Sequence, residues 1–183
     1  ATVNLGSDAL NPYITRLPTG DHPTEQVIVK DGYLYWSQGS ATNAGVTGHD
    51  NGAGGNQHDI PCQDVVLSST GFDSGDGHLT SGFSSHGIFN AGGTVSAFDG
   101  AFGGMHACTG AILRSKILED GKAGPVEPSS WGYRNPFGIP FAPHNHPLQG
   151  QLLLPGHGKD QRGPAPTPHP AARAPEARAR GRQ

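Results

Sequence analysis

The sequence predicts an all-β fold of short strands joined by turns and long glycine-rich loops. Hydrophobic residues make up only 33% of the 183 residues, while glycine occurs 29 times and proline 16 times. Short apolar runs bounded by Gly, Asp-Gly or Pro recur along the chain, whereas long amphipathic helical patterns are missing. No apolar run approaches the roughly 18 residues that a membrane helix needs, so no membrane span is predicted.

The first predicted element is a β-hairpin. Two β-rich runs, residues 27–29 and 33–37, flank Asp31-Gly32, and this dipeptide between such runs is a strong hairpin signal. In the second run tyrosines alternate with Leu34 and Trp36, so both faces of the strand carry large side chains. Because both faces then need cover, we expect an inner strand of the sheet.

Residues 39–104 form a long excursion rich in Gly, Asn, His, Asp and Ser. A stretch with so little apolar content does not bury a core of its own, so it is predicted to decorate the scaffold, with one short strand at residues 64–67. Its glycines follow no phosphate-binding pattern. A calcium loop between Asp73 and Asp76 is an alternative, but the acidic spacing misses the EF-hand pattern and favours a solvated turn.

The second half of the chain is predicted to contain three strands. A strand at residues 110–118 ends in an Asp-Gly turn and is followed by a proline-containing linker, and shorter strands are expected at 139–141 and 151–154. His144 and His146 form an HxH pair between the last two. With no third ligand evident, we interpret this pair as an exposed turn and not as a metal site.

Arg134 and Asn135 are the most distinctive polar pair of the sequence. They lie at a bend set by Pro136 and Gly138, immediately before the predicted strand at 139–141. Pro136 disfavours helix at the preceding residue, so both side chains are expected on a loop at the end of a sheet. A guanidinium suits a carboxylate or a quinone oxygen. Alternatively, Arg134 covers an aromatic surface or pairs with a nearby carboxylate.

Charge divides the chain into a body and a tail. Residues 161–183 hold five arginines against Glu176, which leaves seven basic and fourteen acidic residues in 1–160. A nucleic-acid partner for this acidic body is not expected, because phosphate binding draws on clustered Lys and Arg. Residues 164–183 are rich in Pro, Ala and Arg without apolar periodicity and are predicted to be disordered. The folded domain is accordingly placed at 1–163.

The two cysteines, Cys62 and Cys108, lack the CxxC spacing of a thiolate metal site or a redox dithiol. A single disulfide in an exported protein and a pair of buried thiols both agree with the sequence.

Several stretches, taken in order, resemble the soluble glucose and sorbosone dehydrogenase family, whose members bind pyrroloquinoline quinone (PQQ) on a six-bladed β-propeller. They are Asp21-His22 ahead of residues 27–29, the run 33–40, the run 110–114, the run Tyr133-Arg134-Asn135-Pro136-Phe137-Gly138 and, more faintly, 151–160. The resemblance extends over about residues 15–163.

The resemblance implies an enzyme that oxidises a hydroxyl of a sugar or polyol and passes hydride to PQQ. It implies that His22 is the general base and that Arg134 and Asn135 contact the cofactor, an anionic tricarboxylate that suits an arginine. The calcium ion that accompanies the quinone would be held by backbone carbonyls at Gly158 and Lys159. A periplasmic or secreted location is implied as well.

Two positions depart from the family pattern. An aspartate hydrogen-bonds the base in glucose-oxidising members, and Ser40 stands in its place here. Unless Asp21 or Asp50 substitutes, His22 is a weaker base and glucose itself is disfavoured as substrate. An arginine that follows the base in the family is also missing, with Gln26 near its place.

Length limits the expected architecture to a partial β-propeller. One blade takes about 40 to 50 residues, so residues 1–160 supply about two to three blades of a ring that needs more to close. Such an open ring leaves unpaired strand edges, and we expect weak or absent turnover from this chain alone. The alternative is a non-catalytic, propeller-derived module that binds a glycan or a protein.

Overall fold

The structure, a computed structural model, describes residues 2–3, 10–43, 45–48, 58–73, 76–99 and 107–158. Within these ranges the chain is all-β without a helix, as predicted, and every strand pair is antiparallel. The strands are β1 (Thr2–Val3), β2 (Leu10–Asn11), β3 (Thr24–Lys30), β4 (Tyr33–Gln38), β5 (Val65–Val66), β6 (Phe72–Asp73), β7 (Leu79–Thr80), β8 (Thr94–Val95), β9 (Ala111–Ile117), β10 (Ala123–Trp131), β11 (Asn135–Pro136) and β12 (Gly156–His157). In the same ranges, no helix is long and apolar enough to cross a membrane. The tail at 164–183, predicted to be disordered, lies outside the described residues.

One four-stranded antiparallel sheet dominates the described residues, with the order β10-β9-β4-β3. Spatial neighbours along this sheet are also successive in the chain, except that the excursion separates β4 from β9. The other sheets each have two strands, pairing β1 with β2, β5 with β8, β6 with β7 and β11 with β12. None of the described sheets is closed, and the arrangement in two to three propeller blades stays a prediction.

The hairpin predicted around Asp31-Gly32 is confirmed. Strands β3 and β4 pair with Lys30 opposite Tyr33, so two residues form the connection. Both have positive φ, 50° at Asp31 and 76° at Gly32, which matches the two-residue turn whose twist suits antiparallel strands. Strand β4 is an inner strand, as its two aromatic faces predicted.

The main core lies on the Trp36 face of the sheet. Trp36 on β4 is opposite Leu113 on β9, and both side chains are buried. Residues of the excursion, among them Ile60, pack against these two side chains. A disulfide between Cys62 and Cys108, with an S–S distance of 2.04 Å, attaches the excursion there. The bridge therefore decides between the two alternatives left open for the cysteines. The buried cluster comprises Trp36, Ile60, Ala107, Cys108, Ala111 and Leu113.

The opposite face of the sheet is covered by the segment that follows Arg134. The ring of Phe141 lies edge-on to Tyr35, with 5.4 Å between centroids. The backbone N–H of Ile139 donates a 2.8 Å hydrogen bond to the side-chain oxygen of Gln26 on β3. Gln26 thus connects this cover to β3 at the edge of the sheet.

Two parts of the strand prediction are wrong. The region taken as a proline-containing linker is β10, the longest strand described, and it contains Pro125 and Pro128. Proline is tolerated there because β10 is an edge strand of its sheet, where a missing N–H breaks no ladder between two neighbours. Conversely, residues 139–141 and 151–154 form no regular strand and share only the isolated bridge between Phe141 and Leu152.

The excursion contains more strand than predicted. The short strand expected at 64–67 is present as β5, and three further two-residue strands follow it. Strands β6 and β7 form a small hairpin between β5 and β8, which pair with each other. These short pairings order the described part of a region whose composition offers few apolar side chains.

Candidate functional site

His22 and Arg134 lie at the same end of the four-stranded sheet. At this end β3 begins, β4 ends, β9 begins and β10 ends, as the pairing of Ala111 with both Gln38 and Trp131 shows. His22 comes two residues before β3 and Arg134 three residues after β10. Because neighbouring strands of the sheet run in opposite directions, His22 and Arg134 lie at the same end although they are far apart in the sequence.

His22 is buried, with 6% of its surface exposed, and is held by Ser40. Its backbone N–H donates to the carbonyl oxygen of Ser40 over 3.1 Å. Ring atom Nδ1 lies 3.1 Å from that same oxygen and 3.2 Å from the Ser40 hydroxyl. The hydroxyl itself donates to the carbonyl of Thr42. Ser40 thus contacts the imidazole through two oxygens.

These contacts assign the tautomer of His22. A carbonyl oxygen only accepts hydrogen bonds, and the Ser40 hydroxyl has already committed its proton to Thr42, so Nδ1 must be the donor. In the neutral imidazole, Nε2 then carries the lone pair. Asp21 provides a carboxylate oxygen 3.7 Å from Nε2, while Asp50, the other substitute considered, lies outside the described residues.

Arg134 is anchored to the segment that follows Ser40. Its Nε–H is shared between the backbone oxygen and the side-chain oxygen of Asn43, each at 2.9 Å. Its own carbonyl oxygen accepts the backbone N–H of Ser40 at 2.8 Å. Residues 40–43 therefore hold both the imidazole and the guanidinium, and Asn43 orients the latter.

Asn135 begins β11, next to the arginine. Its Oδ1 atom is buried and has no hydrogen-bond partner in the described part of the chain. Asn135 is opposite His157 on β12, and Gly158 follows that strand directly. Asn135, implied for the cofactor, thus lies in the small β11–β12 sheet. Arg134, also implied for the cofactor, directly precedes this sheet, and Gly158, implied for calcium, directly follows it. Lys159 lies outside the described residues.

Asp59 is a buried carboxylate that the sequence analysis missed. Its oxygens accept hydrogen bonds from the backbone N–H of Ala41 at 2.6 Å, the Thr42 hydroxyl at 2.5 Å and the Thr109 hydroxyl at 2.7 Å. Burial raises the pKa of Asp59, and these hydrogen bonds from Thr42, Thr109 and Ala41 offset part of the rise. An aspartate in a glycine-rich region has no local signature that separates it from a solvated turn residue.

Asp59 fixes the segment that carries the site. Through Ala41 and Thr42 it holds residues 40–43, and through Thr109 it joins them to the chain next to the disulfide. His22 and Arg134 consequently depend on a residue that touches neither of them directly.

Two other features lie apart from this group. The HxH turn is exposed, as predicted, and Nδ1 of His146 accepts the backbone N–H of Leu148. A depression of about 520 Å³ is lined by residues 116–120, around the end of β9 that is farther from Ser40.

Comparisons with protein-family models, with curated proteins and with solved structures find no match for this chain.

Two side chains at this end of the sheet have chemistry that PQQ would require. A guanidinium such as that of Arg134 suits an anionic carboxylate, and the buried Oδ1 of Asn135 would be satisfied by the N–H of a ligand. The implied calcium ligands fit less well. Calcium takes six to eight oxygen ligands, and the described residues supply only the exposed Gly158 from the implied pair.

Proposed function

We propose that this chain is part of a PQQ-dependent dehydrogenase of the glucose and sorbosone type, acting on a hydroxyl of a sugar or polyol. The observation that carries the proposal is the attachment of His22 and Arg134 to one short segment, residues 40–43. A proton acceptor and an anion-binding group are thereby held at the same end of one sheet.

Each residue has a defined part in the proposed reaction. Nε2 of His22 accepts the proton of the substrate hydroxyl, since Nδ1 already donates to Ser40. Arg134 and Asn135 bind and orient the quinone through its carboxylates and its N–H. When bound, PQQ supplies the two-electron acceptor that receives the hydride of the carbinol carbon. The substrate would then be left with a carbonyl group.

Ser40 offers His22 a hydroxyl and a carbonyl oxygen, which carry no full charge, and the nearest described carboxylate is that of Asp21, 3.7 Å from Nε2. Because no aspartate stands in the place of Ser40, we propose a sugar or polyol other than glucose as the substrate. A periplasmic or secreted location belongs to the same proposal, and the Cys62–Cys108 disulfide is compatible with it because such bonds persist in oxidising compartments.

Binding of PQQ is the first test. Titration of the purified chain with PQQ, followed by the absorbance of the quinone, should show saturable binding. Arg134→Ala should weaken this binding roughly 10- to 100-fold, the effect of losing a charge-assisted hydrogen bond. Arg114→Ala is the matched control, because Arg114 pairs with Glu127 on the exposed sheet surface and should leave binding unchanged.

Turnover distinguishes the role of His22. Dye reduction with a panel of aldoses and polyols is expected to be weak in the unaltered chain and absent in His22→Gln, while His22→Gln still binds PQQ. Far-UV circular dichroism would show whether the variant is folded. Absence of PQQ binding in the unaltered chain would overturn the proposal and favour a non-catalytic module that binds a glycan or a protein.

A further inference from the structure

A second group of chemically active side chains lies in the excursion, at the β6–β7 hairpin. Asp76, His78 and His86 each direct one possible ligand atom to a common point, and these atoms all lie within 4.8 Å of one another. Nε2 of His86 is 2.8 Å from one carboxylate oxygen of Asp76, and Nδ1 of His78 is 3.5 Å from the other. The two imidazole rings are 5.0 Å apart between centroids.

The local backbone holds Asp76 and His78 in this arrangement. The backbone N–H of His78 donates to Asp76 at 3.1 Å, which closes a tight turn just before β7. An aspartate and a histidine two positions apart would otherwise point away from each other in an extended strand. The turn therefore puts both side chains on the same side of the hairpin.

His86 is brought to the same place by hydrogen bonds between β7 and the loop that follows it. The backbone N–H of Gly87 donates to the hydroxyl of Thr80, a fully buried residue, at 2.9 Å. The backbone N–H of Ser81 donates to the carbonyl of Ile88 at 2.8 Å. These bonds hold the two residues that directly follow His86 against β7 and the residue after it, so the backbone next to His86 is held by contacts within the protein.

The contact between His86 and Asp76 lacks the geometry of a hydrogen bond. Nε2 of His86 is a buried atom that makes no hydrogen bond in the described part of the chain, even though the Asp76 carboxylate is 2.8 Å away. At such close range the two groups attract each other only when a cation, either a proton on Nε2 or a metal ion, lies between or beside them. The convergence of a third ligand atom, from His78, favours a metal ion.

We propose that Asp76, His78 and His86 bind a divalent first-row transition-metal ion, with Zn²⁺ as the best fit. Two imidazoles and one carboxylate are a ligand set that zinc accepts, whereas calcium and magnesium prefer oxygen ligands alone. Zinc holds its ligand atoms at about 2.0–2.2 Å, so ligand atoms are separated by roughly 3.3–3.5 Å. The observed spread requires a small inward rotation, which His78 can make because 62% of its side chain is exposed.

This site differs in chemistry from the calcium loop considered for Asp73 to Asp76 on sequence grounds. Two of its three ligands are nitrogen atoms, and one of them, from His86, comes from beyond the loop. Three protein ligands leave a fourth tetrahedral position open for water or another small molecule. The proposal is independent of PQQ, since it involves no residue at the Ser40 end of the sheet.

Isothermal titration of the metal-free full chain with ZnCl₂ tests the proposal. We expect one saturable site that His78→Ala and Asp76→Asn each weaken at least tenfold. His78 is largely exposed, so its replacement should not disturb folding. His144→Ala/His146→Ala is the matched control, because that exposed pair belongs to a different turn, and it should leave the zinc site intact.

Titration with CaCl₂ completes the experiment. We expect the heat signal with calcium to be the same for the unaltered chain and for His78→Ala. Three outcomes would overturn the proposal: no zinc binding by the full chain, zinc binding that is unchanged in His78→Ala and Asp76→Asn, or zinc binding that the His144→Ala/His146→Ala control abolishes. Replacing Zn²⁺ by Co²⁺ gives a further readout, since visible absorption bands of tetrahedral cobalt should appear and should be lost in His78→Ala.

Discussion

The backbone N–H of Ser40 donates a 2.8 Å hydrogen bond to the carbonyl oxygen of Arg134. The same serine holds His22 through its own carbonyl and hydroxyl oxygens. One residue at the end of β4 therefore connects the beginning of β3 with the loop after β10. Any change that displaces the segment 40–43 should disturb the imidazole and the guanidinium together.

Replacing Asp59 by asparagine should lower the free energy of unfolding by about 2–4 kcal/mol. The amide keeps one acceptor oxygen but turns an N–H₂ group towards donors that the carboxylate satisfies in the unaltered chain. A buried donor left without an acceptor lowers the stability of the folded state. Urea unfolding monitored by tryptophan fluorescence measures the difference. Asp64→Asn is the matched control: Asp64 is exposed and accepts only the backbone N–H of Ala97, so a loss below about 1 kcal/mol is expected. Equal losses in the two variants would contradict a special role for Asp59.

The effect of Asp59 should depend on pH. Burial raises its pKa in the folded state above the ordinary value of 3.8, so the folded protein holds this proton more tightly than the unfolded chain. The contribution to stability is thus fully present below the unfolded pKa and is lost as pH rises through the folded pKa. We expect the stability difference between the unaltered chain and Asp59→Asn to shrink as the pH rises above the ordinary pKa of 3.8. Urea unfolding at several pH values tests the sign, and a difference that grows with pH would refute it.

Loss of the disulfide should lower the free energy of unfolding by about 2–5 kcal/mol. Cys62 and Cys108 are 46 positions apart, and their bond attaches the excursion to the core face beside Trp36. The measurement is thermal unfolding of the Cys62→Ser/Cys108→Ser variant and of the unaltered chain with and without reductant. Reductant should lower the unfolding temperature of the unaltered chain and leave that of the double variant unchanged. If reduction leaves its unfolding temperature unchanged, the bridge makes no contribution to stability.

Gly39→Ala should destabilise the protein by about 1–3 kcal/mol, the range for overpacking a filled site. A Cβ atom at residue 39 would collide with Cβ and the backbone of His22, so the two chain segments must separate. Gly82→Ala serves as control, because an added Cβ there meets its nearest atom, the oxygen of Gly45, at an ordinary 3.7 Å. Thermal unfolding compares the two variants, and the ring signals of His22 in NMR spectra should shift in Gly39→Ala alone. Unaltered signals would show that the close packing is dispensable.

Elements with a local signal in the sequence are present in the structure, whereas β10 depends on its position in the sheet. Alternation of aromatic residues and an Asp-Gly turn define the β3–β4 hairpin within a few residues, and the run at 110–118 likewise becomes β9. Strand β10 escaped prediction because its two prolines argue against a strand in general. They are compatible with one only at the edge of a sheet, and edge position is a property of the assembled sheet.

By itself, the sequence determined the all-β class and the hairpin, because strand alternation and turn chemistry are encoded locally. It singled out Arg134 and Asn135 by their hydrogen-bonding capacity beside Pro136, and His22 through the resemblance. Tertiary structure alone decided that Ser40 contacts both His22 and Arg134, that Cys62 and Cys108 are bonded, and that Asp59 supports the site. It also decided that Asp76, His78 and His86 converge. Such relationships join residues through folding of the chain, and no periodicity or spacing in the sequence records which distant segments will meet.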